Sequence, residues 1–320
     1  MAQTNYIDTS SLTYAGKEAS DIMARDIFDL DLRKAGVTFI DGVKGKRKIY
    51  LGKFDETVWQ EYSCPFTPDG EVSLAESFIE VVPIKVNKEF CRNEFFDSYL
   101  VEQTEMSLRG GIPQSFANWY FEKLRTQMKK EYEELAWKGD TGRTASTKPY
   151  LKVTDGWEKK LEENSGVTKI SGAAFTVDNI VAQVEATIQA GLAKAATDEV
   201  PTDNYKVLMN YADIQLVKMA LGKTCCPNNQ SIFSNYAMGP EGGVIIYGFE
   251  LIPTLQSRNT IIFGDPRNLV IAFDTFDSHL SYKLIYMMET TLEDMYRVAA
   301  ISNIGLGIVW PEGFTYSRVE

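Results

Sequence analysis

The chain has 320 residues, 44% of them hydrophobic and 24% charged, the mix of an ordinary globular protein of about two domains. Lysine and arginine total 33 against 44 aspartates and glutamates, and the net charge of −11 argues against a protein that binds nucleic acid by neutralising phosphates. One histidine, His279, is all that histidine-based hydrolysis or zinc binding could draw on, and no run of about 18 apolar residues offers a membrane-crossing helix.

In chain order, residues 1–45 are polar and interrupted by glycine. Asp21 to Lys34 is expected as one helix, and Gly36, Gly42 and Gly45 beyond it as an extended, poorly packed arm. Met1 to Ser20 lacks the apolar centre of a secretory signal. Cys64, Cys91, Cys225 and Cys226 form no CxxC pair, so reduced thiols of a cytosol are expected. The basic run Lys44-Gly45-Lys46-Arg47-Lys48 closes the arm and has two readings, a solvated turn or a specific contact.

Residues 48–90 read as extended chain. Lys48–Leu51 and Thr57–Tyr62 are short β-type runs, and Ser77–Val86 is a strand rich in Ile and Val. Between them, Pro65 to Gly70 is a turn, because proline presets φ and glycine tolerates positive φ. A hairpin of this kind is marginal alone in water, so it is expected to pack on something else, another chain included.

The strongest helix is Pro113 to Lys138. Phe116, Tyr120, Leu124, Met128, Tyr132 and Leu135 recur at helical spacing and make one apolar stripe. Pro113 suits a first turn and Gly139 a stop. Next, Thr176 to Lys194 carries Val177, Ile180, Val181, Val184, Ile188 and Leu192 on one face, with Thr176 as the expected N-cap. Lys206–Met209 reads as a buried strand, and Asn210 caps a helix through Leu221 in which Asp213 favours the helix dipole. After a Gly/Pro/Asn-rich loop at 222–243 come strand-like runs: Val244–Ile252, Thr260–Phe263, Leu269–Phe273, Ser281–Met288, Met295–Ile301 and Ile304–Val309. Helices in the middle and strands late make an α+β protein.

The chemical motifs are incomplete. Gly139 to Lys148 has the flavour of a phosphate loop but lacks Gly-Lys-Ser/Thr in register. Gly305 and Gly307 give GxG, with Trp310 where a third glycine belongs. Asp26, Asp29 and Asp31 do not follow the calcium-loop spacing. Adjacent Cys225 and Cys226 are poorly placed for an unstrained disulfide. A structural or binding protein is the better class.

Six local stretches then fall in a specific order. They are Phe78 to Val86 followed by Asn87 to Phe90; Leu135-Ala136-Trp137-Lys138-Gly139-Asp140; Asp155 to Leu161; Val207 to Asp213; Tyr247 to Pro253; and Ile262 to Asp265 with Leu269 to Ala272. In this order the chain resembles the major capsid proteins of tailed bacteriophages, the Hong-Kong-97-type fold that encapsulin shells share. Tyr211 stands where the family usually has proline after the asparagine.

The resemblance implies an N-terminal arm at 1–45, an E-loop at 46–85 and a peripheral domain with a long spine helix at 86–170. It further implies an axial domain at 171–290 and strands returning to the peripheral domain at 291–320. The implied role is the structural subunit of an icosahedral phage capsid, not an enzyme, with no cofactor and no metal. Its partners would be itself in hexamers and pentamers, a portal, a scaffold and decoration or cargo proteins, with packaged DNA touched weakly and no membrane. Its place would be the virion capsid, assembled in the host bacterial cytoplasm. Inter-subunit contacts are expected at Lys46, Arg47 and Lys48 and at the hairpin tip, Phe66, Pro68 and Asp69. Lys53 lies near the hairpin, but nothing matches the Lys, Asn and Glu set by which some relatives cross-link. Two alternatives remain: an encapsulin-like shell around an enzyme cargo, told apart by its contents, and a cytosolic enzyme or ligand-binding protein with a polar pocket from Asp265, Arg267 and Asp274.

Overall fold

The computed structural model describes residues 31–54, 72–91, 99–102, 104, 116–144, 147–224, 236–238, 243–273, 283–287 and 291–319. The first half holds α1 (Asp31–Ala35), β1 (Thr38–Ile40), β2 (Lys46–Phe54), β3 (Val72–Glu80), β4 (Val82–Cys91), α2 (Phe116–Lys138) and α3 (Trp157–Glu163). Next come β5 (Thr168–Gly172), α4 (Ile180–Thr197), β6 (Lys206–Asn210), α5 (Tyr211–Thr224), β7 (Tyr236–Met238), β8 (Val244–Ile246) and β9 (Phe249–Thr254). The chain closes with β10 (Thr260–Gly264), β11 (Leu269–Phe273), β12 (Lys283–Tyr286), β13 (Met295–Ile308) and β14 (Thr315–Val319).

Three sheets result. The first is built around β13, which pairs antiparallel with β11, β12 and β4, while β1 runs parallel to β11. The second runs β5-β14-β10-β6-β9-β8-β7. The third is the β2–β3 hairpin.

The second sheet is apolar on both faces, as the two-residue period of a strand dictates. On β6, Val207 and Met209 face the helices, where they meet Ile180, Val184 and Ile188 of α4 and Ile214 and Val217 of α5. Leu208 between them points the other way, into a cluster with Trp157, Leu161, Phe314 and Leu269. β10 repeats the pattern with Ile261 and Phe263 against the helices and Ile262 behind. Gly191 lets α4 close on Phe263, whose Cε1 would lie 2.7 Å from any Cβ at that position. The cluster behind the sheet takes in Leu269, Leu306 and Ile308 as well, so one core joins the two large sheets.

The stripe expected on the long helix is real. Tyr120, Met128, Tyr132 and Leu135 are buried on α2 and Leu124 is half-buried. The helix ends in a glycine–glycine crossing. Gly156 N donates to Gly139 O at 2.8 Å. A Cβ on Gly139 would stand 2.9 Å from Gly156 N, and one on Gly156 2.6 Å from Gly139 N, so both glycines serve close approach of backbones. Just beside the crossing, Trp137 and Trp157 meet edge to face at 4.8 Å, and the Trp157 indole donates to Gly307 O at 3.0 Å.

Several expectations need correction. The segment after Lys34 is not poorly packed: Ala35, Val37 and Val43 are buried and β1 extends the first sheet. Of the helix expected over Asp21 to Lys34, the part before residue 31 lies outside the described residues. Thr176 is not the N-cap of α4. Its N–H instead bonds the Asn179 side chain at 2.8 Å, and Asn179 holds the cap position. Asn210 does cap α5, accepting from Ala212 N at 2.9 Å. Asp213 is fully buried and ties α5 to the β9–β10 turn through Arg258 Nε at 2.7 Å and Asn259 N at 2.8 Å.

Val244–Ile252 is a hairpin rather than one strand, because Tyr247 and Gly248 both adopt positive φ, the backbone of a two-residue β-turn. The two runs Met295–Ile301 and Ile304–Val309 are a single strand, carried through Ser302 and Asn303 by pairing with Ile84 and Pro83. Sheet membership also cuts across the expected boundaries. β11 and β12, inside 171–290, join the first sheet, while β14, inside 291–320, pairs with β10 and β5 in the second.

Candidate functional site

The hairpin is where sequence and packing diverge most. β2 and β3 pair over nine positions, from Lys46↔Glu80 to Phe54↔Val72. Directly paired residues share a face. One face near the base therefore carries Arg47, Ile79, Ile49 and Ser77, and the other Lys46, Lys48, Phe78 and Glu80.

The first of these faces is docked. Ile79 is 1% exposed and packs with Val43, Val270 and Ala272. It sits over β13 at the two glycines of the GxG pattern. A Cβ on Gly307 would lie 2.5 Å from Ile79 Cδ1, and one on Gly305 2.7 Å from Glu80 O. These glycines form a seat for the hairpin, and no nucleotide loop exists there because both lie within a strand. Around the seat, Val81 N donates to Gly45 O at 2.8 Å and Ser77 Oγ to Ile308 O at 3.3 Å.

The opposite face is open. Phe78 is 44% exposed, with Lys46 Nζ 4.6 Å and Lys48 Nζ 5.4 Å from its ring centroid. Both distances suit a cation–π contact. The basic run is thus the start of a strand and not a turn, and two of its lysines are held over an aromatic ring. Arg47 is exposed at the same level. The structure brings Lys46 and Lys48 together on the open face and puts Arg47 on the Ile79 side of the stem; Phe66, Pro68 and Asp69 lie outside the described residues. Sequence reasoning missed Phe78 and Ile79 as the residues that organise this stem. The one signal for them was alternation along Ser77 to Val86, which cannot say which face meets the sheet.

The other candidates resolve into structural roles. In the loop after α2, Lys159 Nζ donates to Asp140 at 2.8 Å and Asp155 at 2.9 Å, and these bonds hold the lysine's pKa above its ordinary value and the Asp140 carboxyl below its own. Lys148, where a phosphate lysine would be sought, bonds Glu134 at 2.5 Å, and Tyr150 OH donates to the same carboxylate at 2.6 Å. Asp265 and Arg267 pair with each other at 2.6 Å and close a short turn. Asp274, His279, Cys64, Cys225 and Cys226 lie outside the described residues, and Cys91 is an exposed thiol at the end of β4. Among the described residues no group of three His, Cys, Asp or Glu side chains is placed to hold a metal, and no helix is long and apolar enough to cross a membrane.

Two features had no sequence signal. Glu158 on α3 is buried at 5% exposure and accepts from Ser257 N at 2.6 Å, so it bolts α3 to the loop between β9 and β10. Burial pushes its pKa up, against the opposing pull of Ser257, Lys138 and Arg318. Separately, an open groove of about 480 Å³ lies over β4 and the adjoining part of β13, walled by α2 and by Pro149, Tyr150 and Val153.

No protein-family model matches the chain, and no curated protein sequence matches it. Solved structures do. A subunit of the satellite phage P4 procapsid that includes the size-determination (Sid) protein is 12% identical, with a TM-score of 0.60 over 95% of this chain and 91% of that one. The capsid of a native GTA particle gives 10% identity and 0.55 over 90% and 89%. The capsid of Myoviridae phage XM1 gives 13% identity and 0.53 over 96% and 93%. The chain has the α+β, Hong-Kong-97-type fold of these shells across nearly its whole length.

Proposed function

We propose that the chain is the structural subunit of an icosahedral bacteriophage capsid, assembling into hexamers and pentamers around a double-stranded DNA genome. The observation that carries this reading is near-complete coverage in both directions. The P4 procapsid subunit and this chain match over 91% and 95% of their lengths, so the likeness runs through nearly all of both chains and is not confined to one sheet. In this reading the protein is not an enzyme, needs no cofactor, and works in the virion after assembly in the bacterial cytoplasm. Portal, scaffold and decoration proteins are its further partners.

The physical logic is multivalent. Each contact is weak alone, and closure of a symmetric shell multiplies it. The hairpin suits such a contact, because its base is fixed on β13 by Ile79 while the other face of its stem is open. Lys46, Arg47, Lys48, Phe66, Pro68 and Asp69 are the proposed contact residues of this E-loop. The net charge of −11 fits a container filled by force rather than by affinity for DNA. Electron microscopy of the purified protein, alone and with a co-expressed scaffold, tests the reading. Closed icosahedral particles are expected, with DNA in those recovered from infected cells. A subunit that stays monomeric under all these conditions overturns it, and particles filled with an enzyme would replace it with a cellular shell.

A further inference from the structure

Three Asp-Gly pairs occur in the chain, Asp41-Gly42, Asp69-Gly70 and Asp155-Gly156. The second lies outside the described residues, and the other two are built in opposite ways. At Asp155-Gly156 both the carboxylate and the amide are engaged elsewhere. Asp155 Oδ1 accepts from Thr141 N and Thr141 Oγ1 at 2.8 Å and from Lys159 Nζ at 2.9 Å, and Gly156 N donates to Gly139 O at 2.8 Å. Backbone also crowds this glycine: a Cβ there would lie 2.5 Å from Trp137 O. At Asp41-Gly42 the carboxyl is turned back on the amide that follows it, and Gly42 N donates to Asp41 Oδ1 at 2.6 Å. Both residues are exposed, and a Cβ on Gly42 would meet nothing within 4 Å. The pair bridges two anchors on β11. Ile40 pairs with Ala272, and Val43, 2% exposed, donates its N–H to Phe273 O at 3.0 Å.

We infer that Asp41-Gly42 is a site of spontaneous backbone modification, at which the aspartate cyclises to a succinimide and reopens as isoaspartate. The Gly42 amide nitrogen attacks Asp41 Cγ and an N–C bond forms. The amide proton and the carboxyl hydroxyl leave together as water. Water then adds back to the ring. Opening at Cγ restores aspartate, and opening at the Asp41 backbone carbonyl leaves Gly42 joined through the side chain. The sum is an isomerisation, so water is the only co-reactant. The fold favours the step at this pair. The 2.6 Å contact holds the nucleophile beside the carboxyl it attacks, so little freedom is lost in bringing them within reach. Glycine has no Cβ to shield its nitrogen. Open space around both residues admits the ring and the water that opens it. The isoaspartyl link adds a carbon to the backbone between β1 and Val43, and Val43 packs with Ile79 in the seat of the hairpin. Modification thus lengthens the tether that leads into the hairpin stem. The inference concerns a single chain and does not rest on the shell reading.

Peptide mapping of the purified full-length chain, aged while folded in neutral buffer, is the test. Trypsin places the two pairs in separate peptides, residues 35–44 and 153–159. Isoaspartate, located by electron-transfer fragmentation, is expected to build up at least about tenfold faster at Asp41 than at Asp155. The peptide mass should stay unchanged, with a transient form lighter by a molecule of water. Asp41→Glu keeps the exposed carboxylate but cannot close the five-membered ring, so it should melt like the parent and leave its peptide unmodified. Ageing should also speed hydrogen exchange at Val43 and at Val81, whose N–H donates to Gly45 O, in the wild type and not in the variant. Equal rates at Asp41 and Asp155 overturn the inference. So does a folded chain whose residues 35–44 stay aspartyl while a synthetic peptide of the same sequence isomerises. Particle formation is not part of the readout, so failure of the shell reading would leave this result untouched.

Discussion

The second sheet and the hairpin treat the same problem in opposite ways. β10 is buried along all five residues, with α4 and α5 over one face and the Trp157–Phe314 cluster under the other. β2 and β3 cover one face of their stem with Ile79 and leave Phe78 and two lysines outside. The second sheet is covered on both faces within the chain, and the hairpin stem on one. The proposed shell subunit would use both: a part that folds regardless of neighbours, and a part left free to meet them.

The contrast breaks most visibly in the second sheet. Phe263→Ala removes a fully buried ring that packs edge to face with Tyr205 and Phe249. The loss should be about 3–5 kcal/mol, read as a lower urea midpoint for the whole subunit. At the hairpin the matching change is Gly307→Val, which puts a branched side chain where Ile79 sits. Overpacking of this kind costs about 1–3 kcal/mol. The expected readout is local: faster exchange of the β2 and β3 amides, unchanged protection of β6 and β10, and misshapen or absent particles. Equal loosening of both sheets would mean that the hairpin is not a separately seated element.

How far each region can be read from sequence follows the same division. The stripe on α2 was legible because a helix repeats locally, and Tyr120, Met128, Tyr132 and Leu135 report on the same face. β6 and the Asn210 cap were legible for the same reason. The Gly305–Gly307 seat was not, because a glycine in a strand says only that something approaches, and Ile79 arrives from the far side of the chain. β13 was split at Ser302 and Asn303 because two polar residues look like a break, yet Ser302 is buried and the β4 pairing passes straight through. β5 and β14 went unseen because they are short, and their parallel pairing exists only after the fold has formed. On the open face of the stem, the basic run showed in the sequence, but Phe78 joined it only through the register Lys48↔Phe78.

A smaller effect tests the joint between the regions. Glu158 holds α3 to the loop at Ser257, and burial raises its folded-state pKa above the ordinary 4.5. A raised carboxyl pKa means the folded form binds the proton more tightly than the unfolded one. The stabilising contribution is then complete below about pH 4.5 and is lost as pH rises through the folded-state value. Glu158→Gln keeps an acceptor for Ser257 N and removes the titration. The variant should be at least as stable as the parent at pH 7 and show a flatter stability profile between pH 4.5 and 7 in urea melts. Identical slopes would show that this carboxyl stays ionised throughout.

The smallest effect on the free subunit should be the largest on assembly. Lys46 and Lys48 lie over an exposed ring, so reversing both to glutamate forfeits cation–π contacts worth about 0.5–1 kcal/mol at exposed sites and leaves the core untouched. Thermal melting should barely move. If the stem meets acidic groups of a neighbour, particle yield falls sharply at low salt. It should fall for the wild type too near 1 M salt, where the screening length shrinks to about 3 Å. The variant, having lost the attraction already, should then show little further dependence on salt. Equal yields for both proteins at both salts would reduce Lys46 and Lys48 to a solvated edge. The hairpin would then differ from the second sheet only in being uncovered, with no partner chemistry of its own.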